Sequence, residues 1–138
     1  MQATNLKTNH LSAPLGMDAG TLFLSWQCAG GVRQTAYEIE VTAGAGTLWT
    51  SGKVLGSGMH TETPAAVPPK TQGQWRIRLW DENDQPGAWS EAEFETGLAQ
   101  SDWQGVWVCP ETEEPDIDCT DAINAFAKPN WEQKQAAL

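Results

Sequence analysis

The stretch Gln74-Trp75-Arg76-Ile77-Arg78-Leu79-Trp80-Asp81 alternates between apolar and polar residues, and no other feature limits the possible folds of this chain so strongly. A period of two belongs to a β-strand, whose successive side chains leave opposite faces. Trp75, Ile77 and Leu79 fall on one face, and Arg76, Arg78 and Trp80 fall on the other. One side can therefore enter a core while the other meets water or a partner. Six residues of turn composition follow, Glu82 to Gly87, and then a second alternating run from Ala88 to Thr96. Together these segments predict a β-hairpin.

The rest of the N-terminal part reads in the same way. Pro14-Leu15-Gly16 ends an edge strand expected near Leu11, and Thr21 to Gln27 forms a second strand with Leu22, Leu24 and Trp26 inward. Thr35 to Thr42 places Tyr37, Ile39 and Val41 on one face and Glu38 and Glu40 on the other. Leu48 to Val54 is a short strand broken at Gly52, and Pro64, Pro68 and Pro69 confine whatever strand lies between Gly56 and Gly73 to an edge. Seven short strands with Gly and Pro turns and no convincing helix describe an all-β sandwich of immunoglobulin or fibronectin type III kind. The expected core is Leu22, Leu24, Trp26, Tyr37, Ile39, Val41, Trp75, Ile77, Leu79 and Phe94.

Composition excludes several classes of function. A net charge of -10 argues against nucleic acid, because phosphate binding needs clustered Lys and Arg. Eight tryptophans against one tyrosine raise carbohydrate binding through indole stacking, although core filling accounts for most Trp in a small sandwich. Cys28, Cys109 and Cys119 form no Cys-x-x-Cys pair, so neither a disulfide framework nor a zinc site is expected. With a polar opening and no apolar run of membrane-spanning length, the chain reads as a soluble cytoplasmic protein without a membrane partner.

The character changes after Gly97. Residues 1 to 97 carry 6 basic and 10 acidic side chains, whereas residues 98 to 138 carry 2 and 8. Glu111, Glu113, Glu114, Asp116, Asp118 and Asp121 follow one another with no positive charge between them. Residues 1–97 are thus expected to form the sandwich, and 98–138 a linker with the truncated start of a second β domain. A short helical turn over Asp121 to Ala127 would end before Pro129.

No motif supplies catalytic chemistry. The acidic cluster lacks the order of a calcium loop, and His10 and His60 have no co-ligand near them in sequence. There is no Gly-x-Ser-x-Gly elbow, and Gly44-Ala45-Gly46 and Gly56-Ser57-Gly58 lack the Lys-Ser/Thr and the helix of a phosphate loop. Glu91, Glu93 and Glu95 share one strand and have no opposing carboxylate wall, as glycoside hydrolysis would require. No cofactor is implied.

A series of short motifs nevertheless points to a family. Pro14-Leu15-Gly16-Met17-Asp18, Leu24-Ser25-Trp26, Gln34-Thr35-Ala36-Tyr37, Leu48-Trp49, Ser51-Gly52-Lys53-Val54, the Trp75 to Asp81 strand, Trp89-Ser90-Glu91, Phe94 to Leu98 and Asp102-Trp103 follow in order. Over residues 14 to 108 this series resembles the N-terminal region of bacterial α-L-rhamnosidases. The resemblance implies a fibronectin type III-like domain ahead of further β domains and an (α/α)₆ barrel, whose carboxylates hydrolyse terminal α-L-rhamnose with inversion. None of that barrel matches this chain, so no catalytic residue transfers to it. Two departures stand out: Gly73-Gln74 where the family has an aromatic before Trp75, and Thr61-Glu62-Thr63-Pro64 where it has a Tyr-x-Gly segment.

Three functional readings follow. The chain is an accessory module holding neighbouring domains of such an enzyme, with a rhamnosylated glycoside as the parent's substrate and a homodimer as a further expectation. Alternatively it is a carbohydrate-binding module using exposed Trp80 and Trp89, or a stand-alone fibronectin-like protein-interaction domain. The hairpin decides how the two indoles sit. With Ala92 and Phe94 inward, a six-residue loop sets Trp80 opposite Trp89, Arg78 opposite Glu91 and Arg76 opposite Glu93, with Glu38 and Glu40 on the other flank of the arginines.

Overall fold

The computed structural model describes residues 1–44, 46–106 and 108. Met1–Gln104 forms one compact unit. The linker and helical turn expected beyond Val108 lie outside the described residues. Among the described residues, eight strands run in order where seven were expected: β1 (Gln2–Thr8), β2 (Phe23–Ala29), β3 (Ala36–Ala43), β4 (Gly46–Thr50), β5 (Val54–Leu55), β6 (His60–Glu62), β7 (Gln72–Trp80) and β8 (Ser90–Glu95).

They form a three-stranded sheet ordered β1-β2-β6 and a five-stranded sheet ordered β4-β3-β7-β8, with β5 also on β3. All pairs of adjacent strands are antiparallel. This is the immunoglobulin-like sandwich that the alternation implies, and β7 is its central strand. Two strands differ from expectation. The first lies at Gln2–Thr8, while Leu11 makes only a bridge back to Thr8. The strand expected over residues 48–54 divides into β4 and β5 because Gly52, at φ 59, turns the chain between them.

Burial follows the alternation. Leu24 and Trp26 of β2, Ile39 and Val41 of β3, Trp75, Ile77 and Leu79 of β7 and Phe94 of β8 are buried together with Leu22, Ala3 and Val67. Tyr37, expected in the core, is only half-buried, with its ring tilted against Trp26 at 5.0 Å. The two indoles of the inner core each have a partner for their one donor, as an apolar interior demands. Trp75 Nε1 donates to Thr8 Oγ1 at 2.9 Å, and Trp26 Nε1 donates to Gln34 Oε1 at 3.1 Å. Gln34 in turn donates to the Gly56 and Gly58 carbonyls, which ties the 56–58 loop to the core.

Both family departures have a local cause. Gly73 lies opposite Phe94, and a Cβ there would come within 2.3 Å of that ring, so no larger residue fits. The Thr61–Pro64 segment supplies only the end of a three-residue strand, but Thr63 is buried and accepts the Leu22 N–H at 2.9 Å.

The hairpin register differs from expectation by two residues. Arg76 lies opposite Glu91 and Gln74 opposite Glu93. The loop consumes fewer residues than its composition implied, because Asp81 closes it. The Asp81 carboxylate accepts the N–H groups of Asn83 and Gln85, and the Asp81 N–H donates to the Gln85 carbonyl. Pro86 then bridges to Trp80, and Gly87 donates to the Leu79 carbonyl at 2.8 Å. The first residue of the chain leaves no room for a side chain at Gly87, since a Cβ on it would fall 1.7 Å from the Met1 carbonyl oxygen. Between Gly87 and Ser90 the strand gains one residue, a bulge that returns Ala92 and Phe94 to the inner face.

Candidate functional site

The two indoles singled out in the sequence lie on the outer face of the five-stranded sheet. β3 and β7 pair so that Glu38 faces Arg78 and Glu40 faces Arg76. Each guanidinium grips one carboxylate oxygen with two nitrogens. Arg76 Nε and Nη2 lie 2.8 and 2.6 Å from Glu40 Oε2, and Arg78 Nε and Nη2 lie 2.7 and 2.6 Å from Glu38 Oε2. The glutamates on the β3 flank are therefore where the alternation places them.

The β8 flank is different. Glu91 and Glu93 were expected beside Arg78 and Arg76, but the shifted register gives Trp89 to both arginines instead. The guanidinium carbons of Arg76 and Arg78 lie 4.4 and 4.8 Å from the Trp89 ring. Glu91 accepts from Gln74 Nε2 at 2.9 Å. Arg78 also lies 4.9 Å from the Trp80 ring, and Lys53 Nζ lies 4.8 Å from the same ring. Lys53 reaches on to Asp84 in the hairpin loop at 2.6 Å. The result is an interleaved row: Arg76, Trp89, Arg78, Trp80, Lys53. Contacts of this kind are worth about 0.5–1 kcal/mol each at exposed sites, and the flanking ion pairs about as much or less.

Trp80 was expected at the surface, yet it is only 7% exposed. It packs opposite Ala36, itself fully buried on this outer face, beneath Arg78 and Lys53. Trp89 is half-buried. Arg76 and Arg78 thus lie against the Trp89 ring, and Arg78 and Lys53 against the Trp80 ring. Lys53 and Asp84 escaped the sequence reading because they belong to two loops that no periodicity connects.

Two further carboxylates clasp loops. Glu82 accepts the N–H groups of Val32 and Arg33 at 2.9 and 3.4 Å, and the Val32 bond foremost holds its carboxyl below the usual range. Asp102 is held low chiefly by the Lys70 ammonium at 2.7 Å, with help from the Ala99 N–H. Among the described residues, no group of His, Cys, Asp and Glu could hold a metal, and no buried side-chain polar atom lacks a partner. Desolvation by burial pushes the Cys28 thiol above its ordinary value, which is the opposite of what a nucleophile needs.

Comparison with known proteins agrees with this picture. A family model described as the Rha78A-like, N-terminal immunoglobulin domain matches residues 3–100. An α-L-rhamnosidase from Streptomyces avermitilis is 34% identical over 134 residues, covering 86% of this chain and 13% of the relative. The structure of α-L-rhamnosidase from Dictyoglumus thermophilum superposes with a TM-score of 0.69 at 29% identity, covering 75% of this chain and 13% of that one. The crystal structure of the Streptomyces avermitilis α-L-rhamnosidase complexed with L-rhamnose gives 0.62 at 32% identity, covering 75% and 11%. The chain spans about an eighth of the length of the curated relatives it matches.

Proposed function

This chain belongs to the Rha78A-like N-terminal immunoglobulin domain family, and from that premise we propose that it is the accessory module of an α-L-rhamnosidase whose catalytic machinery lies in other domains. The observation that carries the proposal is the match over residues 3–100 to a domain that makes up only a small part of much longer glycosidases. Its work is architectural. A module of this kind gives neighbouring domains a rigid wall, and the parent enzyme acts on a glycoside bearing terminal α-L-rhamnose.

The side chains support a structural role over a chemical one. The indoles that might have met a sugar are engaged by Arg76, Arg78 and Lys53, and Glu91, Glu93 and Glu95 all lie on one strand instead of on two facing walls. The 138-residue chain is expected to release no nitrophenol from nitrophenyl α-L-rhamnoside. It should also give a flat Trp fluorescence response to L-rhamnose. Glycoside cleavage lost on substituting a residue of this chain would overturn the accessory reading. A saturable fluorescence change abolished by Trp89→Ala would instead make the domain a carbohydrate-binding module.

A further inference from the structure

The two edges of the five-stranded sheet are built differently. At one edge, β8 carries Glu91, Glu93 and Glu95, and its lower end is covered by the 14–17 segment. Glu95 N–H donates to the Pro14 carbonyl at 2.9 Å, and Met17 N–H donates to the Glu95 carbonyl at 3.0 Å. Acidic side chains and a covering segment are the usual means by which a protein keeps a sheet edge from pairing with another chain. The edges of the other sheet are blunted too. β1 is broken by an irregularity between Thr4 and Lys7, and β6 is three residues long and followed by Pro64.

The β4 edge has neither acidic side chains nor a covering segment among the described residues, and its ladder with β3 shifts register once, between Val41 and Thr42, which leaves Trp49 and Thr50 in regular pairing. From Ala43 to Gly52 the sequence contains no charged residue, and it is rich in β-forming side chains: Thr47, Leu48, Trp49 and Thr50. Trp49 packs partly on the core, while Thr47, Leu48 and Thr50 are exposed, and Leu55 at the end of β5 is 80% exposed. Trp49 pairs with Val41 and Ser51 N–H donates to the Ile39 carbonyl, so by strand alternation the backbone N–H and C=O of Thr50 point away from β3. Among the described residues, no strand pairs with that outer side.

We propose that β4 is a self-association edge, at which a second copy of this chain adds its own β4 antiparallel across a two-fold axis. The partner is another copy because an edge of this kind is complementary to itself. Length, polarity and neutrality match by symmetry, and each copy satisfies the other's backbone groups. The contrast with β8 gives the choice of edge: joining two β8 edges would oppose glutamates to glutamates, and like charges opposite one another destabilise a strand pair. At β4 the segment from Ala43 to Gly52 brings no charged side chain of its own to the contact.

Sedimentation equilibrium of the 138-residue chain over a wide concentration range tests this. The expected result is a reversible rise from monomer to dimer mass that Thr50→Lys weakens by about tenfold or more, since each copy then brings a lysine into the uncharged contact. Thr50 is exposed, so at concentrations where both are monomeric the melting temperature of that variant should match the wild type. Glu93→Lys, on the other edge, should leave the association unchanged. A wild-type chain that stays monomeric throughout would overturn the proposal. So would a dimer that survives in Thr50→Lys or is altered instead by Glu93→Lys.

Discussion

The inner and outer faces of β7 share one backbone but are held by different physics. On the inner face, Trp75, Ile77 and Leu79 are fully buried, and the force that holds them is non-directional and scales with area. On the outer face, Arg76, Arg78 and Trp80 are held by contacts that require particular partners at particular distances. The inner face tolerates only one parity of pairing with β8, whereas the outer face depends on the absolute register. Parity and register therefore have separate determinants in one hairpin. Burial sets the first, and the chemistry of the 81–87 loop sets the second.

The largest effect should come from breaking the inner face. Trp75→Ala removes a fully buried indole and leaves Thr8 Oγ1 without its donor, and truncations of this kind cost about 3–5 kcal/mol. That is a large share of the stability of a domain this size. Chemical denaturation should show the variant unfolded or close to it, and an unchanged midpoint would mean that the face is misassigned.

This asymmetry explains what was legible in the sequence. Alternation identified the sandwich and nine of its core side chains, because a period of two is a direct record of burial. It also paired Glu38 and Glu40 with the two arginines. It gave the wrong residues opposite them on β8, because Asp81 closes the loop early and one bulge then restores parity, and neither leaves a periodic trace. Trp80 was read as exposed for a similar reason: its cover comes from Lys53, on a loop between β4 and β5. Polar members of the interior such as Thr8, Gln34, Thr63 and Thr96 were missed because hydrogen bonding, not hydropathy, places them there.

The pairing of β7 with β8 can be tested at Gly73, where the Phe94 ring lies over the backbone. Gly73→Ala places a methyl within 2.3 Å of that ring, and overpacking of this order costs about 1–3 kcal/mol. Gly73→Ala combined with Phe94→Leu should recover part of the loss. A neutral Gly73→Ala would show that the two residues are not opposite one another.

A smaller effect should appear on acidification. Glu82 and Asp102 both have folded-state carboxyls held below their ordinary values, by the Val32 N–H and by Lys70 respectively. A depressed folded pKa contributes stability that is present above the unfolded value and lost as the pH falls through the folded one. The melting temperature should therefore fall as the pH drops below about 4, and Glu82→Gln should flatten that slope. An identical pH profile in the variant would remove the Val32–Glu82 clasp from the account.

The claim that the outer face closes on itself is tested most directly by a double-mutant cycle between Arg76 and Trp89, using Arg76→Met, Trp89→Leu and the double variant. Arg76 lies 4.4 Å from the Trp89 ring in the observed register, whereas the unshifted register would place Glu93 opposite it. The account predicts a favourable coupling of about 0.5–1 kcal/mol in the unfolding free energies. Strict additivity of the two single variants would contradict it, and would return Trp89 to solvent as a ring free to bind something else.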